Sequence, residues 1–426
     1  MADLHPALQG LITIIVGVGG CVGYFYFSNL FLDKVLFRAQ GPNAGRNINR
    51  ANIIRPWLFL LPALIALSLY LVYPVLETLR LSVTERVPIP DSAGGFTYKV
   101  VWFANYSQMF GEPKFWEAMR NNMLWLIIVP AASTAFGLLS AQLSDRIGWG
   151  NIAKSMIFMP MAISFVGASV IWKLIYDTRP AEQDQIGVLN ALWMRFEGGF
   201  SSVLLLQALP TLLLVAFAAL VGWLGYWVAK PLWASSAALS PTREGLWHKA
   251  LRVVAGLFAL WLVVVTLRAG FALLGAALPY GEPQTWLTNT TWNSFLLMVV
   301  LIWIQTGFAM VILSAALRGI PEQTIEAAIV DGANPFQIFF RIKVPQIMGT
   351  IVVVWTTITL VVLKVFDIVY AMTNGQWETQ VLANYMYEKL FRANDWGVGS
   401  ASAMVIMLLV TPILLWNIHN ARKEMR

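Results

Sequence analysis

The sequence predicts an all-α protein, a polytopic transmembrane helical bundle of about nine spans, and three observations carry that prediction. Of its 426 residues 58% are hydrophobic and 12% charged, and mean hydropathy is +0.66, far from the balance of soluble globular domains. The apolar residues gather into runs of about 20, the length a helix needs to cross a hydrocarbon core. Between the runs lie short loops that hold most of the Lys and Arg residues. Membrane lipid is therefore the main solvent of the chain.

In chain order the runs fall at about 7–31, 56–79, 122–143, 152–176, 203–229, 251–278, 292–317, 348–372 and 399–418. The first is long and has no positively charged leader before it, so it reads as a span and not as a cleavable signal. Its "GVGGCVG" places Gly19 and Gly23 four residues apart, a small-residue pair that lets a neighbouring helix approach closely. Alternate loops carry the stronger positive charge, with Lys34, Arg46, Arg50, Arg146, Lys154, Arg318, Arg341 and Lys343 on one side. The positive-inside rule makes that side cytoplasmic. The amino terminus is then expected outside, Arg426 inside, and the stretch Glu326 to Pro345 on the cytoplasmic face.

Composition also excludes several classes of function. The net charge of +7 is scattered over loops and forms no basic patch, so nucleic acid is not an expected partner. Cys21 is the single cysteine, and His5, His248 and His419 lie far apart, which leaves no metal site. The chain contains no GxxxxGK[ST] and no GxSxG. No catalytic site and no bound cofactor are expected, and any ATP must be handled elsewhere.

The stretch "EAAIVDGANPFQIFFRIKVP" breaks the apolar pattern. Ile325, Ala328, Ile329 and Ala333 recur at helical spacing while Glu326 and Asp331 stay polar. Gly332 permits a bend, Asn334 and Pro335 supply turn chemistry, and a second short helix carries Phe336, Phe339, Phe340 and Ile342 towards Pro345. Two short helices at an angle make either an ordinary interfacial loop or a knob for a soluble partner's cleft.

This stretch resembles the EAA signature of membrane subunits of binding-protein-dependent ABC importers, matching at Glu326, Ala327, Ala328, Asp331, Gly332, Ala333, Ile342 and Pro345. The flanking sequence, roughly 55–195 and 283–426, is similar to carbohydrate permeases of the maltose and alpha-glucoside type. It does so in "FWEAMRNNMLW", "IFMPMAISFVGASVIWKLIYD", "GVLNALW", "QTWLTNTTW" and "KVFDIVYAMTNGQ". The resemblance implies that the EAA residues couple to an ATPase subunit, with ATP and magnesium bound there. It further implies a second permease subunit, two ATPase subunits, an extracytoplasmic substrate-binding protein, a sugar substrate, and a bacterial or archaeal inner membrane. Against that pattern, residues 196–282 stand out between "GVLN" and "QTWL". The expected organisation is an extra amino-terminal span and linker at 1–50, permease core at 51–195 and 283–426, and an inserted two-span hairpin at 196–282.

Within the spans, ionisable groups are costly and mark function by default. Lys364 and Asp367 are three residues apart and, on one helix, would neutralise each other. Arg268 stands near the outer end of its span, within snorkelling reach. Leu301, Gln305, Phe308 and Ile312 share a helical face, and Gln305 with Phe308 suits a sugar's hydroxyls and apolar ring face. Gln305, Phe308 and Lys364 are therefore candidate substrate-path residues, with interhelical hydrogen bonding the other reading of Gln305. Two other classes of function remain open on the residues alone: an ion-coupled secondary transporter, which needs a coupling site, usually intramembrane carboxylates or broken helices, together with internal repeats, and a membrane-embedded glycosyl-transferring enzyme.

Overall fold

Strings of apolar residues interrupted by proline and glycine fold into straight helices where they are uninterrupted and into bent pairs where they are not. The computed structural model describes residues 6–37, 44–88, 96–145, 147–196, 198–234 and 246–424. Two compact units divide the chain, one drawn from Met1–Pro113 with Tyr385–Thr411 and the other from Lys114–Asn384 with Pro412–Arg426.

In the first unit, α1 (Pro6–Phe31) precedes α2 (Ala44–Ser82). α2 holds Pro56 and Pro62, each of which removes a backbone donor from the ladder, and further on runs through a π turn at Ser68–Val72. Both helices expose apolar side chains, Ile14 at 63% and Tyr70 at 74%, as surfaces meant for lipid do. Arg55 pairs with Asp33 at 2.8 Å, and the Tyr24 hydroxyl donates to the Leu58 carbonyl at 2.8 Å. No atom lies within 4 Å of a Cβ built on Gly19 or Gly23. The expected close helix contact there is thus not made by the described residues. A two-stranded ribbon, β1 (Thr84–Pro88) against β2 (Phe96–Val100), follows. α3 (Ala104–Gly111) is anchored to it through Asn105, whose amide donates to the Ser82 and Thr84 carbonyls.

The second unit holds the main core. α4 (Pro113–Ser144), α5 (Gly150–Phe158), α6 (Phe165–Ile175) and the short α7 (Val188–Trp193) come first. α8 (Phe200–Trp227) and α9 (Leu246–Leu274) form a hairpin. α10 (Asn293–Arg318), α11 (Glu322–Val330), α12 (Pro335–Gln346), α13 (Met348–Leu363) and α14 (Asp367–Met372) complete it. α10 is apolar on nearly every face and is the most enclosed of these helices, as a helix without a polar side must be. Leu297, Met298, Leu301, Met310 and Leu313 of α10 pack with Trp125 and Val129 of α4 and with Val354 and Ile358 of α13. Glycines set the closeness of these helices: a Cβ on Gly137 would stand 2.4 Å from Ala309 Cβ, and one on Gly307 2.6 Å from the Ile157 carbonyl oxygen. The remaining elements, α15 (Leu382–Tyr387) and α16 (Trp396–Glu424), run on to the carboxyl end.

Two of the expected spans are not single helices. Among the described residues six helices are long and apolar enough to cross a membrane, and eight if each of two bent pairs counts as one. The run 152–176 bends by 105° between Gly150–Ala162 and Phe165–Ile175. Pro160 tightens the first arm into a 3-10 turn, and Ser164 caps the second by accepting from the Gly167 amide at 3.1 Å. The run 348–372 is interrupted after Leu363, and the pair Pro335–Gln346 and Met348–Leu363 bends by 70°. The last run is a shorter apolar stretch, Trp396–Pro412, within α16. The expected sidedness of the two termini and the polar loop 235–245 lie outside the described residues.

Candidate functional site

The polar stretch after α10 folds as the two short helices its pattern predicts. α11 ends at Val330, and Gly332 follows with φ +80°, a left-handed conformation that suits a residue without a side chain. Asn334 then caps α12 in a reciprocal box: its side chain accepts from the Gln337 amide at 2.8 Å while Gln337 Oε1 accepts from the Asn334 amide at 2.9 Å. The helix continues past the predicted stop at Pro345 to Gln346, accommodating the proline after a π turn at Ile338–Lys343.

One side of this joint is buried and the other bare. Ala328 and Ile338 are turned inward, at 7% exposure each, with Ala333 and Ile342 partly covered. Val330 is 87% exposed, Phe336 77%, Phe340 63% and Ile329 58%. Glu326, Ala327, Asp331 and Pro345 are exposed beside them. An exposed apolar patch that shares its two short helices with exposed Glu326 and Asp331 has the composition of a docking surface.

Around α10 the structure brings some of the substrate-path candidates together and separates others. A cavity of about 180 Å³ is lined by Phe165, Leu301, Lys364, Phe366 and Asp367, among others. Gln305 and Phe308, one and two turns further along α10, do not line it. Gln305 is 8% exposed, and its side chain makes no hydrogen bond among the described residues. Lys364 and Asp367 are not on one helix: Lys364 follows the last residue of α13 and Asp367 opens α14. Their expected mutual neutralisation fails because the backbone turns between them, and among the described residues they form no ion pair.

At the end of α4 that carries Ser144, the Asp145 carboxylate takes hydrogen bonds from Lys154 and from Arg318, at 3.2 Å from Nε and 3.0 Å from Nη2. Burial pushes the Asp145 carboxyl up, but the hydrogen bonds from Lys154 and Arg318 and their charges outweigh it and hold the group below its ordinary range.

Comparison with known proteins places this arrangement. Residues 197–423 match the family model described as binding-protein-dependent transport system inner membrane component. The chain is 49% identical over 425 residues to an alpha-glucoside transport system permease protein of Rhizobium meliloti, covering 99% of both. It belongs to the binding-protein-dependent transport permeases. An osmoprotective compounds uptake permease of Synechocystis is 36% identical over 367 residues, covering 86% of this chain and 99% of that one. A chain of a bacterial alginate ABC transporter, crystallised with its alginate pentasaccharide-bound periplasmic protein, shares the fold. Its TM-score is 0.56 at 16% identity, over 90% of this chain and 99% of that one.

The protein is thus a multi-pass inner-membrane permease of the ABC importer type. Sequence reasoning found its polar joint but missed two polar knots. One is Asn190, fully buried, which donates to the Asp177 and Gln284 carbonyls at 3.0 Å each and accepts from the Gln284 amide and Trp286 Nε1 at 2.9 Å each. It ties "GVLN" to "QTWL" across 94 residues. The other is Asp145. Neither stands out in sequence, since single Asn and Asp residues near helix ends are common.

Proposed function

We propose that this permease carries an alpha-glucoside or related oligosaccharide or polyol across the inner membrane as one half of a translocation pore. A second permease supplies the other half, two ATPase subunits bind ATP and magnesium, and an extracytoplasmic binding protein delivers the sugar. The observation that carries the reading is the α11–α12 joint, an exposed apolar patch on a sharply bent pair of short helices at the predicted cytoplasmic face. Glu326, Ala327, Ala328, Asp331, Gly332, Ala333, Ile342 and Pro345 build it, and Val330, Phe336 and Phe340 give it a surface for an ATPase groove. The name of the Rhizobium meliloti relative supports the alpha-glucoside class. The path runs beside α10, where Gln305 and Phe308 face the sugar and Lys364 stands in the neighbouring cavity. Ion-coupled transport has less support, because the family model matched and the relative 49% identical over 425 residues are both of binding-protein-dependent or ABC-type permeases.

The reading is tested by expressing the permease with its partner subunits and measuring uptake of maltose, sucrose and trehalose into proteoliposomes. Wild-type complex should take up at least one of them only with ATP and loaded binding protein. Val330→Glu with Phe336→Glu should leave the permease in the membrane but release the ATPase subunits on purification. Retention of those subunits at wild-type stoichiometry would remove the joint from the ATPase interface.

A further inference from the structure

The coupling joint is held at both of its roots by one helix end. α4 finishes at Ser144, where its last carbonyls give a partial negative charge, and Asp145 adds a full one. Three cations from three elements converge there. Lys154 of α5 and Arg318, the last residue of α10, meet the Asp145 carboxylate, and Lys343 of α12 donates to Gln142 Oε1 of α4 at 3.3 Å. Ser314 of α10 accepts from Lys154 Nζ at 2.6 Å and donates to Asp145 at 3.4 Å. Arg318 lies four residues before α11 begins, and Lys343 sits in the closing turns of α12. The side chains of Lys154 and Asp145 are 15% and 24% exposed, so the pair is largely shielded from solvent screening.

The helices at this point cannot slide freely past one another. A Cβ on Gly150 would stand 1.9 Å from the Ser144 carbonyl oxygen, and the Gly137 and Gly307 contacts bring α10 against the backbones of α4 and α5. α4 is one helix of 32 residues, about 48 Å long at the α-helical rise. Its far end grips the segment Thr373–Val381. Asn121 donates to the Glu378 and Gln380 carbonyls at 2.7 and 2.9 Å, and Glu117 accepts from the Gln380 amide at 3.1 Å. The first residue of α10, Asn293, donates to the Trp377 carbonyl at 2.6 Å. That segment keeps Asn374, Trp377 and Glu378 at φ 54°, 53° and 60°, strained for residues with side chains and stable only while such contacts hold them.

We propose that Asp145 is the positioning residue of the coupling joint: by holding Arg318 and Lys154 together at the end of α4, it makes movement of α11–α12 a movement of α4, which carries it to the strained segment 373–381. This rests on the joint being the ATPase contact. Without the Asp145 carboxylate the joint still docks, but the root of α11 moves without α4.

Asp145→Asn in the complete reconstituted complex separates these ideas. The expected result is normal co-purification of ATPase subunits and ATP hydrolysis, with sugar transported per ATP reduced roughly tenfold, within the range of coupling energies between sites. Arg318→Gln, which leaves the Asp145–Lys154 pair in place, should give the same loss, and it serves if Asp145→Asn fails to insert. Exchange of the two charges, Asp145→Arg with Arg318→Asp, should recover part of it. A wild-type transport ratio in Asp145→Asn, or in Arg318→Gln where the first does not insert, overturns the proposal and leaves the joint intact. Failure of the joint itself shows separately, as ATPase subunits that remain bound to the Val330→Glu, Phe336→Glu permease.

Discussion

Gln305 shows how much a single side chain can mean when its surroundings are known. The Gln305 amide makes no hydrogen bond among the described residues, yet its polar atoms are not sealed from solvent, so its donors and acceptor are open to another hydrogen-bonding group. In the proposed pathway that group is a sugar hydroxyl. Gln305→Leu should leave thermal stability of the detergent-solubilised complex unchanged or slightly raised. Uptake affinity should weaken by roughly five- to tenfold, the worth of one hydrogen bond. Kinetics of uptake across several sugars measure it, and unaltered kinetics for all of them would exclude Gln305 from the path. Asp145 illustrates the opposite arrangement, a charge that takes hydrogen bonds from Lys154, Arg318 and Ser314 and whose proposed role is mechanical.

At the scale of elements, the α11–α12 pair depends on one backbone conformation. Gly332 sits at φ +80° with no atom within 4 Å of a built Cβ, so backbone strain decides the effect of substitution and crowding does not. Gly332→Ala should cost roughly 1–2 kcal/mol locally, the left-handed penalty for an L-residue, and leave transport measurable but reduced. Gly332→Pro cannot reach that φ at all and should uncouple ATP hydrolysis from uptake while membrane insertion, read by fractionation, survives. Normal uptake by Gly332→Pro would mean that the bend is not needed for coupling. Broken helices elsewhere follow the same logic: Pro160 and Ser164 turn the chain by 105° because one cannot extend a regular helix and the other starts a new one.

On the scale of the whole molecule, we propose that residues 196–282 are an insertion in a six-span core, although the matched family range takes in most of them. α8 and α9 pack on each other, with Gly225 close under Ala259 and the Thr211 hydroxyl donating to the Gly270 carbonyl at 3.0 Å. Asn190 joins the chain on either side of the hairpin through Gln284 and Trp286. Replacing residues 196–282 by a short linker should therefore leave permease that co-purifies with its partners at near wild-type yield. Loss of assembly despite correct insertion would place the hairpin in a subunit interface.

The sequence by itself determined the helical membrane class, the family and the position of the bent polar joint. Hydrophobic run length, an EAA signature and a glycine between two short amphipathic stretches are local properties, legible without a partner. Tertiary structure alone decided that two runs are broken, that Lys364 and Asp367 lie on different helices, and that Asn190 and Asp145 tie distant elements together. Apolar composition is blind to a bend that keeps both arms apolar. A lone polar residue declares its role only when folding brings its donors and acceptors within reach, here from as far as 173 residues away in the Asp145–Arg318 pair.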